Sequence, residues 1–257
     1  MMYKPLQIPN LHNKSYLENI SYTETIIPEL SDYLICMWES YSYVEVTGMM
    51  TTVIVTDACI DLVIDITNQN IGYQGMVKTN FNFKSTMPEK SIGFRFKPGA
   101  FFALTGMEAT AAMGRYLPLE TIDDHFDRVS FFKMDDESMK NFLLEYLKKL
   151  VENARDTKYI RLFDDINNKT FIKAEQLYEF INLKPRQTQR LFKKHYGLSP
   201  KVILTIIRFQ HCLRELVKDT AENDNILINY YDQSHFINDF KENIGVTPTE
   251  FMSLIKK

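Results

Sequence analysis

The period of the hydrophobic pattern changes near Asp136, and this change constrains the fold more than any other feature. Before it, β-branched and aromatic residues come in short runs. Thr51-Thr52-Val53-Ile54-Val55 reads as a strand, and residues 59–66 alternate polar Asp61 and Asp65 with apolar neighbours. Gly72 to Gly75 supplies turn chemistry, residues 77–83 and 91–96 continue the strand pattern, and Lys97-Pro98-Gly99 closes it. Residues 100–107 and 109–113 read as short helices over one end. Short strands at this spacing predict an antiparallel sandwich or barrel. After Asp136, Phe142, Leu143, Tyr146, Leu147, Leu150 and Val151 recur at helical spacing, which predicts an amphipathic helix over about 137–153. Its apolar stripe serves either the core or a dimer seam. The polar stretch 164–169 marks a domain boundary, and everything beyond it reads as helices joined by short turns. The class is therefore α+β in two domains: a β-barrel-like domain over 1–135, a helical linker over 136–165 and an all-α domain over 166–257.

A chain of 257 residues suits two domains, and its 45% hydrophobic and 25% charged residues exclude a disordered or fibrous protein. Cys36, Cys59 and Cys212 lie far apart with no CxxC, which excludes a disulfide scaffold and suits a reducing cytosol. No secretory signal is visible, and apolar runs such as 60–66 are far shorter than the ~20 residues a membrane span needs. The expectation is a cytoplasmic protein. Only His12 and His125 fall in the strand-rich half, too few for a multi-histidine metal site. No phosphate loop, nucleophile elbow or HExxH is present. Asp123-Asp124 and Asp135-Asp136 read as loop and helix-start residues. A binding protein without cofactor or metal is expected, not an enzyme.

Charge is unevenly placed. Residues 1–156 carry 14 Lys and Arg against 21 Asp and Glu, whereas residues 157–257 carry 16 against 12. An acidic half joined to a basic half is the asymmetry expected when one half meets a polyanion, although chance clustering gives the same difference. Within the basic half, a short apolar helix (Leu177, Phe180, Ile181) reaches a turn at Asn182-Leu183-Lys184, and Pro185 suits a first helical position. At about 100° per residue, Arg186, Gln189, Arg190 and Lys193 fall on one stripe, flanked by Gln187 and Lys194. Thr188, Leu191, Phe192 and His195 fall opposite. Arg matches guanine O6 and N7, Gln matches adenine N6 and N7, and Lys matches phosphate. An ordinary solvated basic helix would show the same pattern.

Ser199-Pro200 caps and opens a long helix over about 200–218, with Ile203, Ile206, Ile207, Leu213 and Leu216 as its buried stripe. A second helix-turn-helix follows over 225–245. Phe236, Phe240 and Ile244 make its packing face, joined by Ile237. Gln233, Ser234, His235 and Asn238 lie on or beside its exposed face, together with Asp239 and Glu242, which phosphate repels.

Residues of about 170–255 resemble the DNA-binding domain of AraC/XylS-type bacterial transcription regulators. The resemblance rests on Arg186-Gln187-Thr188-Gln189-Arg190-Leu191-Phe192-Lys193, Tyr196-Gly197-Leu198-Ser199-Pro200-Lys201 and Arg208-Phe209-Gln210. It continues through Tyr230-Tyr231-Asp232-Gln233-Ser234-His235-Phe236, Asp239-Phe240-Lys241 and Gly245-Val246-Thr247-Pro248. It implies seven helices, with two helix-turn-helix units joined by a long helix and entering successive major-groove segments, roughly 34 Å apart. By the same resemblance Arg186, Gln189 and Arg190 read bases, with Gln187 beside them. Ser234, His235 and Asn238 occupy the matching positions of the second unit beside Gln233, and Lys193, Lys194 and Lys241 meet phosphate.

This chain departs from the pattern at several positions. Asn182 and Asn229 stand where glycine is usual, and Asn tolerates left-handed backbone better than most residues. Tyr178 replaces a small alanine, Lys184 a serine cap, and Asp224-Asn225 an apolar pair. Asn238 stands where arginine is common. The N-terminal half resembles, more loosely, a cupin-like sensor domain found ahead of such DNA-binding domains. The matching residues are Asp57-Ala58-Cys59-Ile60-Asp61-Leu62-Val63, Gly93-Phe94-Arg95-Phe96-Lys97-Pro98-Gly99 and Tyr116-Leu117-Pro118-Leu119. The implied partners are double-stranded DNA, a small-molecule effector and a second copy of the chain as a homodimer. Arg95 could hold an anionic effector or pair with Asp61 or Asp65, and Tyr73, Phe81 and Phe94 line either a pocket or the core. The alternative is a cupin-like small-molecule-binding protein or enzyme whose helical domain has weak or no DNA affinity.

Overall fold

A computed structural model describes residues 2–6, 20–42, 50–78, 81–85, 89–169, 171, 173–218, 233–244 and 246–255. Its strands are β1 (Ile20–Thr25), β2 (Leu34–Ser42), β3 (Met50–Ile54), β4 (Ile60–Asp65), β5 (Asn70–Gln74), β6 (Phe81–Ser85), β7 (Lys90–Phe96) and β8 (Tyr116–Pro118). Six of them form one antiparallel sheet in the order β1-β2-β7-β4-β5-β8, and β3 pairs separately with β6. Alternation sorts the central strands. Ile60, Leu62 and Ile64 of β4 are buried, and Asp61, Val63 and Asp65 between them are half-buried.

The antiparallel α+β class is as expected, but the barrel is not closed. β1 and β8 are the edges of the large sheet. β8 is three residues long and ends at Pro118, which has no N–H to offer a further strand. Gly72 is no turn residue. It lies inside β5, where a Cβ would stand 2.3 Å from the Leu117 carbonyl oxygen of β8, so only glycine admits this close pairing. The chain reverses instead before β5, where Gln69 takes φ 53° and the Asp65 carboxylate accepts from the Asn68 backbone N–H at 2.9 Å. Of the strand expected over 77–83, Val77 and Lys78 lie outside any strand and Phe81 opens β6.

The helices are α1 (Ala100–Thr105), α2 (Arg128–Phe131), α3 (Asp136–Glu152), α4 (Lys158–Asn167), α5 (Ala174–Ile181), α6 (Pro185–Tyr196), α7 (Pro200–Lys218), α8 (Gln233–Ile244) and α9 (Pro248–Ile255). Asp135 caps α3, its carboxylate accepting from the Ser138 N–H at 2.8 Å. Of the apolar stripe of α3, Leu143 and Leu147 are buried in the core and Phe142 is exposed.

The larger of two apolar cores runs through both halves of the chain. It takes in Leu62, Phe94 and Phe96 of the sheet, Phe101 of α1, Phe163 of α4, Phe192 and Tyr196 of α6, and Ile203 and Ile206 of α7. A second, smaller core joins Phe209, Leu213 and Leu216 of α7 to Phe236 and Phe240 of α8 and Phe251 of α9. The N-terminal segment crosses between them. The Tyr3 N–H donates to Asp164 Oδ1 of α4 at 2.7 Å, and its hydroxyl donates to the Asp57 carbonyl at 2.9 Å. Gln210 of α7, fully buried, accepts from the Leu6 N–H at 2.8 Å and donates to the Thr56 carbonyl at 3.1 Å. The first helical unit therefore shares the large core of the sheet domain, and the second packs in a smaller core that includes Val55 of that domain.

Candidate nucleic-acid interface

The turn between α5 and α6 shows how this sequence makes a helix-turn-helix without the usual glycine. Asn182 ends α5 in the left-handed region, at φ 57° and ψ 44°, as its short polar side chain permits. Leu183 donates its N–H to the Tyr178 carbonyl at 3.2 Å, and Lys184 returns to extended backbone before Pro185 opens α6. The serine cap is missing, and Gln187 takes its place. Its carboxamide oxygen accepts from the Lys184 N–H at 3.2 Å. Gln187 thus closes the helix start with the oxygen that adenine recognition would use, a role the spacing alone did not reveal.

One face of α6 packs. Thr188 and Phe192 are fully buried; the Thr188 hydroxyl donates to the Lys184 carbonyl at 3.2 Å, and the Phe192 and Tyr196 rings meet edge-on at 5.0 Å. The other face is open: Arg186, Gln187, Gln189, Arg190 and Lys193 are all exposed. Among the described residues, none of Arg186, Arg190 and Lys193 has a carboxylate within 4.0 Å. The described ion pairs lie in the N-terminal half and α3, such as Lys140–Glu39, Lys148–Glu145 and Arg128–Glu120. The guanidinium and ammonium groups are therefore free to meet an outside anion. Lys194 differs, being half-buried with its Nζ 4.6 Å above the Phe102 ring of α1.

The C-terminal turn of α6 rests on the N-terminal domain. The His195 ring lies 3.8 Å from that of Tyr159 and 4.6 Å from that of Phe102, and the Tyr196 hydroxyl donates to the Tyr159 carbonyl at 2.7 Å. Burial holds the His195 pKa down to about 4, Lys194 and Lys158 acting in the same direction and Asp156 opposing them. Gly197 ends the helix at φ 71°, where a Cβ would stand 2.9 Å from the Ala109 carbonyl oxygen and 2.5 Å from Met76 Cε. No periodicity signals this docking, because it joins α6 to residues as far away in sequence as Met76, Phe102, Ala109 and Tyr159.

In the second unit Phe240 is the hub, 5.7 Å from Phe209, 5.8 Å from Phe236 and 5.4 Å from Phe251, ring centre to ring centre. Ser234, Asn238 and Lys241 are exposed at helical spacing on α8. The side chains of Gln233 and His235 lie outside the described residues, as do Asp224, Asn225 and Asn229. α9 starts with a reciprocal cap. Glu250 accepts from the Thr247 N–H at 2.7 Å and hydroxyl at 2.8 Å, bonds that lower its pKa.

These features meet a family comparison. A helix-turn-helix domain family matches residues 177–253, spanning both units and the α7 that joins them. The C-terminal domain is an AraC-type helix-turn-helix domain. A domain family of unknown function, DUF6597, matches residues 27–118, the strand-rich domain on which the AraC-type domain rests. Among solved structures, the chain is similar to fatty-acid-bound ToxT from Vibrio cholerae strain SCE256. That match has 10% identity and a TM-score of 0.39, over 99% of this chain and 98% of that one. Another ToxT structure from Vibrio cholerae matches at 9% identity and a TM-score of 0.39, over 92% and 97%. No curated protein sequence matches the chain.

Of the residues expected around an effector, Tyr73 and Phe94 share one face of the sheet and Arg95 lies on the other. Tyr73 and Phe94 lie in one row across the sheet, each the register partner of Leu62, and both are fully buried on the face that packs against α1. Arg95, the next residue, points to the opposite face. Its guanidinium meets Asp61 at 3.2 Å, Glu24 at 3.3 Å and Asp57 at 3.7 Å, which keeps it charged although it is only 7% exposed. Asp61 also accepts from Trp38 Nε1 at 2.7 Å. The side chain of Phe81 lies outside the described residues. Among the described residues no group of three His, Cys, Asp or Glu side chains could hold a metal, and no helix is long and apolar enough to cross a membrane.

Proposed function

We propose that this chain is a sequence-specific, DNA-binding transcription regulator of the AraC type, working by binding and not by catalysis. The observation that carries the reading is the exposed stripe of Arg186, Gln189, Arg190 and Lys193 on α6, free of carboxylate partners among the described residues. A major groove admits such a helix, and two guanidinium groups and a carboxamide one turn apart match base edges while lysine meets phosphate. Ser234, His235, Asn238 and Lys241 are the corresponding residues of the second unit, with Gln233 beside them. Control of occupancy by a small-molecule effector, or by homodimerisation through the N-terminal domain, completes the proposal.

The test starts with selection of bound duplexes from a random pool. The Arg190→Ala chain is then compared with the unaltered one on the selected sequence. A bidentate base contact predicts a loss of about 1–3 kcal/mol and relaxed preference at one base pair. An Arg190→Ala chain that binds the selected site as tightly as the unaltered one removes Arg190 as a reader. Failure to select any sequence removes sequence-specific binding itself.

A further inference from the structure

Resting on that reading, we propose that the DNA-binding surface extends beyond the helix-turn-helix domain onto α4, whose Lys158 and Arg161 contact phosphates of the same duplex. α4 lies outside residues 177–253. Its first turn nevertheless packs directly on the last turn of α6, through Tyr159 against His195 at 3.8 Å and the Tyr196 hydroxyl on the Tyr159 carbonyl. Lys158 is exposed, with its Nζ 5.2 Å above the Tyr159 ring, and Lys194 sits over Phe102 on the other side of the same histidine. Arg161 is exposed one turn along α4 from Lys158, and Arg155 is exposed just before the helix.

These cations differ from the paired basic groups of α2 and α3, although Arg115, Lys133 and Lys149 are exposed and unpaired as well among the described residues. Lys140 and Lys148 on α3 sit against Glu39, Glu137, Glu29 and Glu145, and Arg128 sits against Glu120. Among the described residues, Arg155, Lys158, Arg161, Lys193 and Lys194 have no carboxylate within 4.0 Å, although Asp156 and Asp165 lie in the same stretch of chain. Arg155, Lys158 and Arg161 thus stand on the segment that packs against the carboxyl end of α6, the turn that carries Lys193 and Lys194 beside the proposed base-reading stripe. A duplex backbone is the partner this chemistry fits: a rigid row of phosphates rewards several separate cations and asks for no sequence.

Fluorescence anisotropy of the full chain on a labelled duplex of arbitrary sequence tests this, with NaCl varied from about 50 to 200 mM. Each phosphate contact contributes about 0.9 to the slope of log affinity against log salt. The Lys158→Gln/Arg161→Gln chain should therefore show a slope shallower by about 1.8. The same salt increase should then cost it about twelvefold less affinity than it costs the unaltered chain. Lys140→Gln/Lys148→Gln, with the same change in net charge on α3, should leave the slope where it was. An unchanged slope in the α4 variant overturns the inference and leaves DNA binding intact. An equal fall in the α3 variant also overturns it, since net charge alone would then explain the effect. Absence of binding by the unaltered chain at low salt would instead overturn the DNA-binding reading beneath it.

Discussion

His195 gives the sharpest test of the contact between α6 and the N-terminal domain. Its ring is 3% exposed, pressed between Tyr159 and Phe102, and Nδ1 has no hydrogen-bond partner. Burial lowers its pKa from 6.5 to about 4 in the folded chain, so the folded state resists a proton that the unfolded state accepts. The native state binds fewer protons, and its stability must fall with pH. The full contribution is present above the unfolded value of 6.5 and is lost progressively as pH drops from there through about 4. At about pH 5 the unfolded ring is almost wholly protonated and the folded ring mostly neutral, a difference of about 2 kcal/mol as an upper bound. His195→Phe keeps an aromatic ring in the same slot and removes the titration. Urea midpoints for both chains at about pH 7.5 and pH 5 then isolate the effect. His211, whose pKa burial also lowers, titrates equally in both chains and cancels. The unaltered chain should lose about 2 kcal/mol more than His195→Phe on acidification. Equal losses would show that the ring is hydrated in solution and that α6 is not held against α1 and α4 as described.

Two further substitutions probe the same junction from other sides. Gln210→Ala removes a buried side chain that bonds the backbone of Leu6 and Thr56, leaving those groups without partners. Urea unfolding should show a loss of about 2–4 kcal/mol, and a loss below about 0.5 kcal/mol would mean that water replaces the carboxamide. Gly197→Ala places a methyl at φ 71°, against the Ala109 carbonyl and Met76. A drop of about 1–3 kcal/mol is expected, read as a lower thermal midpoint, and an unshifted midpoint would contradict the close approach of α6 to residues 109–111.

Much of the C-terminal domain was legible in the sequence because its determinants are local. Pro185 fixes where α6 starts, Asn182 supplies the left-handed residue, and the 3.6-residue period separates Arg186 and Arg190 from Thr188 and Phe192. Each signal lies within a few residues of the feature it determines. The strand-rich half was legible only as a class. Gly72 reads as a turn because sequence shows its lack of a side chain but not the Leu117 carbonyl that needs the space. The open sheet follows from β8 being short and ending in proline, and Tyr116-Leu117-Pro118 alone does not say which strand it meets. Arg95 could be given its two alternatives from sequence, but the choice depended on register, which sets Arg95 opposite Asp61 across β4 and β7.

The illegible part is the one that ties the two domains together, and it gives the two helix-turn-helix units unequal standing. α6 shares a continuous core with the sheet domain, so Phe102 and Tyr159 lie one residue layer behind a helix whose front carries Arg186 and Arg190. Close-packed interiors transmit displacement instead of absorbing it. A shift of α1 by an ångström must therefore move the exposed stripe of Arg186 and Arg190 or break the His195 contacts. α8 meets the sheet domain over a smaller contact. Its Phe236 and Phe240 pack in the second core, which meets the N-terminal domain through Val55 and the segment at Leu6. A shift in the sheet domain thus reaches the first unit through the large shared core, and reaches the second through the smaller contact at Val55 and Leu6 and along α7, past the buried Gln210. Substitutions at Phe102 should consequently change the first unit's contribution to sequence preference and leave that of the second unit in place.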